Sequence, residues 1–426
     1  MAEEAPRKRA RIEEPTTYEL PGGKISYTRL AQEFPELKDH LHESGDSTWI
    51  DFRDATAVRL LNRALLKVYF DLDVVLPSTN LCPPVANRLN YIKWIRDNIV
   101  PDLNPAYTLA GLDVGTGASC IYPLLGARVL QDCLFVGTET IEESVNVAQD
   151  NISRNSLQSR IQLYLNADPT VTLPLDDEKF PQISDKDGDG SQFAFSMCNP
   201  PFYSGEDERR QLARQKDQAP HWGELSGKNE ELYTEGGEEA FLSRMVSESA
   251  KLGPRIKWYS TMVGKKATLA LLKTRIREEK AKQIREGTLL QGRTTRWVLA
   301  WTFLDKTRFC LDMAQSSSIG DAQTQFCEAA ADLNIETQSV AATETQLLCV
   351  AREKTWTRQW RRQQQKLRAE GVEPTTNSDA EPVLQFRAVF KANDGPQVDL
   401  FLEPGFSSNM LMSLYNHLTR RMAKPS

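Results

Sequence analysis

No CxxC pair occurs among the seven cysteines of this 426-residue chain, at positions 82, 120, 133, 198, 310, 327 and 349. An odd number of thiols scattered through apolar segments argues against a disulfide framework and a zinc site, and predicts reduced, buried sulfurs. No run approaches the roughly 20 apolar residues of a membrane span, and the N-terminus lacks the apolar core of a signal peptide, so no membrane partner is expected and the expected location is inside the cell. Internal repeats are missing, which sets repeat architectures aside. Excess positive charge is missing too. The 52 Lys and Arg against 58 Asp and Glu leave a formal charge of −6, so any nucleic acid must be held by local basic patches rather than by a global field. Asp185 to Gly190 opens like a calcium loop, but the bidentate Glu required at the twelfth position is Ser196 here; a solvated loop is left, and no metal is expected. Nothing in the sequence sets an oligomeric state.

Apolar residues make up 40% of the chain and charged residues 26%, with 23 Gly and 22 Pro, which suits two or three globular domains of about 100–200 residues each. Residues 1–26 are expected to be a flexible tail carrying the basic run Pro6-Arg7-Lys8-Arg9-Ala10-Arg11, which suits a nuclear import signal or an RNA-gripping arm as well as a merely solvated tail. Over 27–102, apolar residues recur at three- and four-residue spacing, among Ala57, Val58, Leu60, Leu61 and Leu65 and again among Leu89, Ile92, Trp94 and Ile95, which predicts a helical module. Over 103–308, short apolar runs alternate with helical stretches, the texture of a doubly wound parallel sheet in an α/β domain. Runs starting at Leu109, Leu134, Ile161 and Phe193 predict the first four strands, and those starting at Ile256 and Arg296 predict later ones. A polar loop at 204–231 interrupts this domain, and a loop of that length is functional or disordered. A smaller α+β domain is predicted at 309–426. Its strands at Phe309-Cys310-Leu311 and Gln346 to Val350 bracket a helix from Ala322 to Leu333, and a basic aromatic helix begins at Thr355. A linker at 370–381 then leads to a strand pair, Val383 to Phe390 with Gln397 to Leu402, and a last helix from Ser408 to Met422.

Gly111-Leu112-Asp113-Val114-Gly115-Thr116-Gly117 ends a predicted strand and opens a helix, so its glycines let the backbone turn tightly and approach a ligand. Glu139 follows the next apolar run at the offset of about 20 residues where an acidic side chain can accept both ribose hydroxyls of a nucleoside. Asn199-Pro200-Pro201-Phe202 follows the fourth strand. An amino group conjugated to a ring is a poor nucleophile; the Asn199 side-chain carbonyl and the Pro200 backbone carbonyl can accept its two hydrogens and aim its lone pair at an electrophilic methyl group. The prolines hold both carbonyls, and Phe202 offers a ring for the target base. Catalysis by this motif would consist of alignment and charge placement.

Together with Arg88-Leu89-Asn90-Tyr91-Ile92, the run from Gly111 to Leu125, Cys198-Asn199-Pro200-Pro201-Phe202, Glu235-Gly236-Gly237-Glu238, Trp258-Tyr259-Ser260, Gly264-Lys265-Lys266 and Gln291-Gly292-Arg293-Thr294-Thr295-Arg296-Trp297, these motifs resemble the methyltransferase-like protein 16 family over about Tyr27 to Phe303. That family comprises eukaryotic adenine-N(6) methyltransferases acting on U6 spliceosomal RNA, with bacterial relatives that modify ribosomal RNA. The resemblance implies a Rossmann-like class I methyltransferase sheet, an N-terminal RNA-binding module, S-adenosyl-L-methionine as cofactor and structured RNA, foremost U6 small nuclear RNA, as partner in the nucleus. It implies cofactor contacts at Arg88, Gly115, Ser119, Glu139, Thr170 and Asn199, with catalysis by Asn199, Pro200, Pro201 and Phe202. Where the family has a lysine in the loop before the threonine, Pro169 stands here.

Lys265, Lys266, Arg293 and Arg296, with the arm of Arg7, Lys8, Arg9 and Arg11, suit the grip on phosphates expected of an RNA groove; a solvated basic surface is the plain alternative. Trp356 and Trp360, with the arginines around them, suit either RNA stacking or a helix packed on its own domain. Two other functions fit the Asn-Pro-Pro motif less well: methylation of a protein glutamine amide, which the basic clusters disfavour, and RNA binding without turnover, which the intact Asn199 tetrapeptide disfavours.

Overall fold

The computed structural model describes residues 20, 25–45, 47–106, 108–181, 183, 191–201, 203–206, 233–291, 294–313, 316–340, 345–370, 380–393 and 395–422. The chain divides into two units, one from Met1–Val100, Thr108–Lys186 and Gly190–Phe303, the other from Pro101–Tyr107, Asp187–Asp189 and Leu304–Ser426.

The first unit starts with helix α1 (Tyr27–Glu33), a hairpin of β1 (Leu41–Ser44) and β2 (Ser47–Ile50), and helices α2 (Ala55–Phe70) and α3 (Val85–Asn98). Asp54 starts α2 because its carboxylate accepts the N–H groups of Thr56 (2.8 Å) and Ala57 (3.2 Å), two donors that the first turn leaves unpaired. The spacing over 27–102 predicts helices alone, so the hairpin is a difference. Its strands are four residues long with Ile50 as the buried position, too short for an alternating pattern to stand out. Nor do these helices form a separate domain. Asn90 Nδ2 donates to Leu290 O (3.1 Å) and the Tyr91 hydroxyl lies 2.8 Å from Ser260 Oγ, so α3 is bound into the sheet.

Five strands of that sheet run parallel in the spatial order β5-β4-β3-β6-β7: β3 (Ala110–Val114), β4 (Leu134–Glu139), β5 (Ile161–Leu165), β6 (Phe193–Cys198) and β7 (Ile256–Val263). An antiparallel hairpin of β8 (Gln283–Gln291) and β9 (Thr294–Thr302) completes it, with β9 next to β7. Helices α4 (Ile121–Val129), α5 (Glu142–Arg154), α6 (Gly237–Leu252) and α7 (Lys266–Glu278) connect the strands. Central strands β3 and β6 are buried at every position, which is why both are continuous apolar runs. The edge strand β8 is a second difference from the sequence pattern. It pairs with β9 alone, and the stretch Gln283-Ile284-Arg285-Glu286-Gly287 carries the polar residues that an edge tolerates.

The second unit is a five-stranded antiparallel sheet in the order β10-β14-β13-β12-β11, formed by β10 (Arg308–Asp312), β11 (Ile335–Ser339), β12 (Gln346–Ala351), β13 (Leu384–Asn393) and β14 (Gly395–Leu402). Helices α8 (Ile319–Ala331) and α10 (Ser408–Met422) close its core through Phe326, Leu411, Leu414 and Leu418, packed with Phe309, Phe386 and Leu400. The short polar strand β11 escapes the sequence pattern, since Ile335 is its one buried residue. Helix α9 (Arg358–Ala369) starts three residues later than expected. Trp356 is packed in this core and Trp360 Nε1 donates to Glu353 Oε2 (3.0 Å), so both tryptophans are engaged within their own unit, Trp356 by packing alone. The expected linker lies mostly outside the described residues.

In the first unit, Phe135 takes the space of two missing side chains. A Cβ on Gly111 would come within 2.8 Å of the Phe135 ring and 2.7 Å of the Phe195 ring, and a Cβ on Gly126 would clash with Phe135 as well. Gly111→Ala is therefore expected to lower stability by about 1–3 kcal/mol, read from urea unfolding as a lower midpoint with an unchanged slope.

Candidate active site

The carboxyl ends of β3 and β6 are neighbours. Val114 pairs with Cys198, so the next residues, Gly115 and Asn199, emerge side by side at one edge of the sheet. Gly115 (φ +73°) and Gly117 (φ +66°) take the left-handed conformation that glycine adopts without strain, turning the chain sharply into α4. Thr116 N donates to Thr138 O (2.8 Å), tying the turn to β4. Glu139 at the end of β4 fixes it further: one carboxylate oxygen accepts from Gly117 N (2.9 Å), the other from Thr140 N (2.8 Å) and Ile141 N (3.1 Å). Three backbone donors thus set the direction of a carboxylate that is buried but still lines the cleft.

Arg88, Gly115, Ser119, Glu139, Asn199, Pro200 and Pro201 all line this cleft. Thr170 does not. It is exposed, and its N–H (2.8 Å) and hydroxyl (2.6 Å) both donate to Asp168 Oδ1 in a local turn; Asn166, Pro169, Val171 and Thr172 form that wall instead. Helix α6 holds the wall in place. Glu248 accepts from Thr172 N (2.9 Å) and Leu173 N (2.8 Å), while Phe241 lines the cleft. Phe202 lies outside the described residues. So does most of the 204–231 loop, but Tyr203 and Tyr233 form a bridge and Thr234 N donates to Tyr203 O (3.0 Å), so the chain leaves and rejoins at neighbouring points close to Asn199.

Four buried polar atoms around the cleft lack a hydrogen-bond partner among the described residues: both carboxylate oxygens of Asp113, the Tyr122 hydroxyl and Asn199 Oδ1. Of the nearby hydroxyls, that of Thr138 donates to the Asp113 backbone carbonyl (3.5 Å) and that of Thr116 is turned to Cys120 Sγ (3.6 Å). Arg88 lies over the Tyr122 ring, 5.7 Å from its centroid. Burial pushes the Asp113 carboxyl up to about 7; the Thr116 hydroxyl opposes the rise, the nearby Glu139 charge adds to it, and Arg88 opposes it. Orphaned acceptors are costly unless something brings donors to them. A nucleoside with a carboxylate-bearing arm fits the lining: Glu139 for ribose hydroxyls and Arg88 for the carboxylate, with Asp113 fully buried behind it. Sequence reasoning assigns Asp113 and Tyr122 no role; the available signal for Asp113 is an acidic residue inside an apolar strand.

The basic residues separate by position. Lys265 caps α7 and the exposed Lys266 begins it, both just past the carboxyl end of β7. Val263 pairs with Trp297, which brings half-buried Arg296 to the same edge as Asn199. Glu238 at the start of α6 accepts from Gly264 N and so anchors the turn that carries Lys265 and Lys266. Arg7, Lys8, Arg9, Arg11 and Arg293 lie outside the described residues.

Residues 21–305 match a protein family described as RNA methyltransferase. The chain belongs to this family. It is 36% identical over 282 residues to the human RNA N(6)-adenosine-methyltransferase METTL16, covering 66% of this chain and 48% of that protein. To the U6 small nuclear RNA (adenine-(43)-N(6))-methyltransferase of Schizosaccharomyces pombe it is 37% identical over 257 residues, 60% of this chain and 62% of that one. The chain spans about half the length of the METTL16 relatives it matches. The crystal structure of the hMettl16 catalytic domain in complex with MAT2A 3'UTR hairpin 6 superposes with a TM-score of 0.57 at 34% identity, covering 66% of this chain and 94% of that one. The N-terminal domain of human METTL16 in complex with SAH gives 0.52 at 35% identity, with the same coverage. These likenesses support the class I methyltransferase sheet as the family fold. The family match ends at residue 305, near where the first unit ends at Phe303.

Asp113 yields a test by its pH dependence. Its carboxyl is raised from 3.8 to about 7, so the folded state holds the extra proton. Ionising it costs nothing below the unfolded value, costs progressively more as pH rises through this window, and carries the full cost above about pH 7. Asp113→Asn removes that cost. The variant's melting temperature relative to the parent chain should therefore be more favourable at about pH 8 than at about pH 5; a pH-independent difference would count against the buried carboxyl.

Proposed function

We propose that this methyltransferase transfers the methyl group of S-adenosyl-L-methionine to the exocyclic N6 of an adenine in structured RNA, with U6 small nuclear RNA the foremost candidate. The observation that carries the reading is Asn199 Oδ1, buried and without a hydrogen-bond partner among the described residues, at the cleft lined by Gly115 and Glu139. Bound S-adenosyl-L-methionine would supply an electrophilic methyl group. Glu139 would hold its ribose and Arg88 its carboxylate. The target amine would donate one hydrogen to Asn199 Oδ1 and the other to the Pro200 carbonyl, turning its lone pair toward the methyl carbon; the N–C bond would form as the S–C bond breaks, S-adenosylhomocysteine would leave, and the methylated nitrogen would lose one proton to solvent. The contact with Asn199 Oδ1 strengthens as the nitrogen gains positive charge, which makes it worth more in the transition state than in the ground state. The relatives' names and the RNA hairpin bound to hMettl16 support RNA rather than protein as the acceptor. Residence in the nucleus is part of the same proposal, supported by the run from Arg7 to Arg11 and by the U6 methyltransferases among the relatives.

Asn199→Ala should lower single-turnover methyl transfer by about 2–4 kcal/mol in barrier, with the RNA dissociation constant nearly unchanged. Tritiated S-adenosyl-L-methionine offered to total RNA and total protein of the same cells gives the acceptor class; label in protein alone would overturn the RNA reading.

A second expectation concerns RNA binding by a chain of net charge −6. If Lys265 and Lys266 neutralise phosphates, changing both to Ala should weaken binding and flatten the slope of log affinity against log salt by about 0.7 to 0.9 for each phosphate set free. Deleting residues 1–12 should do the same if the arm also grips RNA. Cofactor affinity, measured by calorimetry, should stay unchanged in both variants, and unaltered salt slopes would remove these lysines and the arm from the RNA site.

A further inference from the structure

Between β6 and β7 the backbone register runs through Phe193↔Ile256 and Phe195↔Trp258, and no further backbone pair joins the two strands among the described residues. Hydroxyl groups take over in the stretch that leads to Asn199. Cys198 N donates to the Tyr91 hydroxyl oxygen (3.4 Å), the Tyr91 and Ser260 hydroxyls are 2.8 Å apart, and Ser260 Oγ donates to Ser196 O (2.7 Å). A serine hydroxyl has one proton. Since that of Ser260 is committed to Ser196 O, the Tyr91 proton must point at Ser260 Oγ. The result is a directed chain, Cys198 N–H to Tyr91 O–H to Ser260 O–H to Ser196 C=O, which starts and ends on the two successive peptide units of the segment leading to Asn199. Tyr91, Ser196 and Ser260 are fully buried and Cys198 is 1% exposed, so water cannot substitute for any member.

We propose that Tyr91 is a positioning residue for the acceptor-nitrogen site: its hydroxyl, acting through Ser260, clamps the peptide of Ser196 to Cys198 and thereby sets the direction of the Asn199 and Pro200 carbonyls. This rests on the methyl-transfer reading above. Beyond the register pairs of β6 and β7, hydroxyl contacts hold this segment: Ser260 N also donates to Ser196 Oγ (3.4 Å). Tyr91 sits on α3 three residues after Arg88, on the same helix face. Its ring is also fixed, edge-on to Tyr122 with centroids 5.7 Å apart, so the hydroxyl can be removed without losing the packing.

The test uses Tyr91→Phe, Ser260→Ala and the double variant of the full chain. Single-turnover methyl transfer at saturating S-adenosyl-L-methionine and RNA should fall about tenfold to a hundredfold in Tyr91→Phe, the scale of a small misplacement of reacting groups. The dissociation constants of cofactor and RNA should stay within about twofold, and the double variant should be no slower than the slower single one, because both break the same chain. Hydrogen exchange at the Cys198 amide should accelerate in Tyr91→Phe. A transfer rate within about twofold of the parent in Tyr91→Phe, or a decrease that tracks weaker binding, overturns the proposal. If the parent chain transfers no methyl group to RNA, the functional reading fails. The clamp is then judged on the exchange measurement, where unchanged protection of Cys198 overturns it.

Discussion

The pairing of Val114 with Cys198 is the constraint on which the site depends. Two segments far apart in sequence, one a glycine turn and the other an Asn-Pro-Pro motif, meet because β3 and β6 are adjacent parallel strands whose ends coincide. In an open α/β sheet the crevice beyond the carboxyl ends of the strands is where ligands bind, and the strand order here runs outward from β3 in both directions. A register shift of one residue would turn Asp113 and Cys198 to the opposite faces and part the turn from the motif. The tight packing at Gly111, where the Phe195 and Phe135 rings leave no room for a side chain, helps pin that register.

Around this pairing the protein gathers polar groups that a folded chain would otherwise avoid. Asp113 is buried with no partner for its carboxylate among the described residues, Asn199 Oδ1 and the Tyr122 hydroxyl are likewise unmatched there, and Arg88 is nearly buried beside them. Glu139 differs: its oxygens are occupied by the donors of Gly117, Thr140 and Ile141, so its direction is set before any ligand arrives. The two carboxylates therefore serve different ends. One is preorganised by the backbone; the other is a fully buried acid whose burial raises its carboxyl to about 7.

Much of this is legible in the sequence, for physical reasons. Strands β3, β4, β6 and β7 are buried on both faces and stand out as apolar runs, and Asn199-Pro200-Pro201 announces itself because it follows one of them. Edge elements hide: β8 and β11 pair on one side only, and the β1–β2 hairpin buries a single residue. Family resemblance places Thr170 at the cleft, but at a turn the side chain answers to its nearest acceptor, and Asp168 two residues earlier claims both its donors. The importance of Asp113 cannot be weighed from sequence, because what matters is the absence of a partner, and that is a property of packing.

Helix α3 connects the two halves of the proposed reaction. Arg88 faces the cofactor end of the cleft, while Tyr91 reaches the strand that carries the acceptor motif. A single helical turn between two functional groups is among the stiffest spacers a protein has, since every intervening backbone group is hydrogen-bonded. Asn90 between them ties the same helix to Leu290 on β8. The segment expected to be an N-terminal helical RNA-binding module would then also belong to the proposed catalytic framework, with Arg88 lining the cleft and the Tyr91 hydroxyl beside the strand that leads to Asn199. Displacing α3 would disturb both together, so alignment of donor and acceptor rests on a single rigid element rather than on two independent ones.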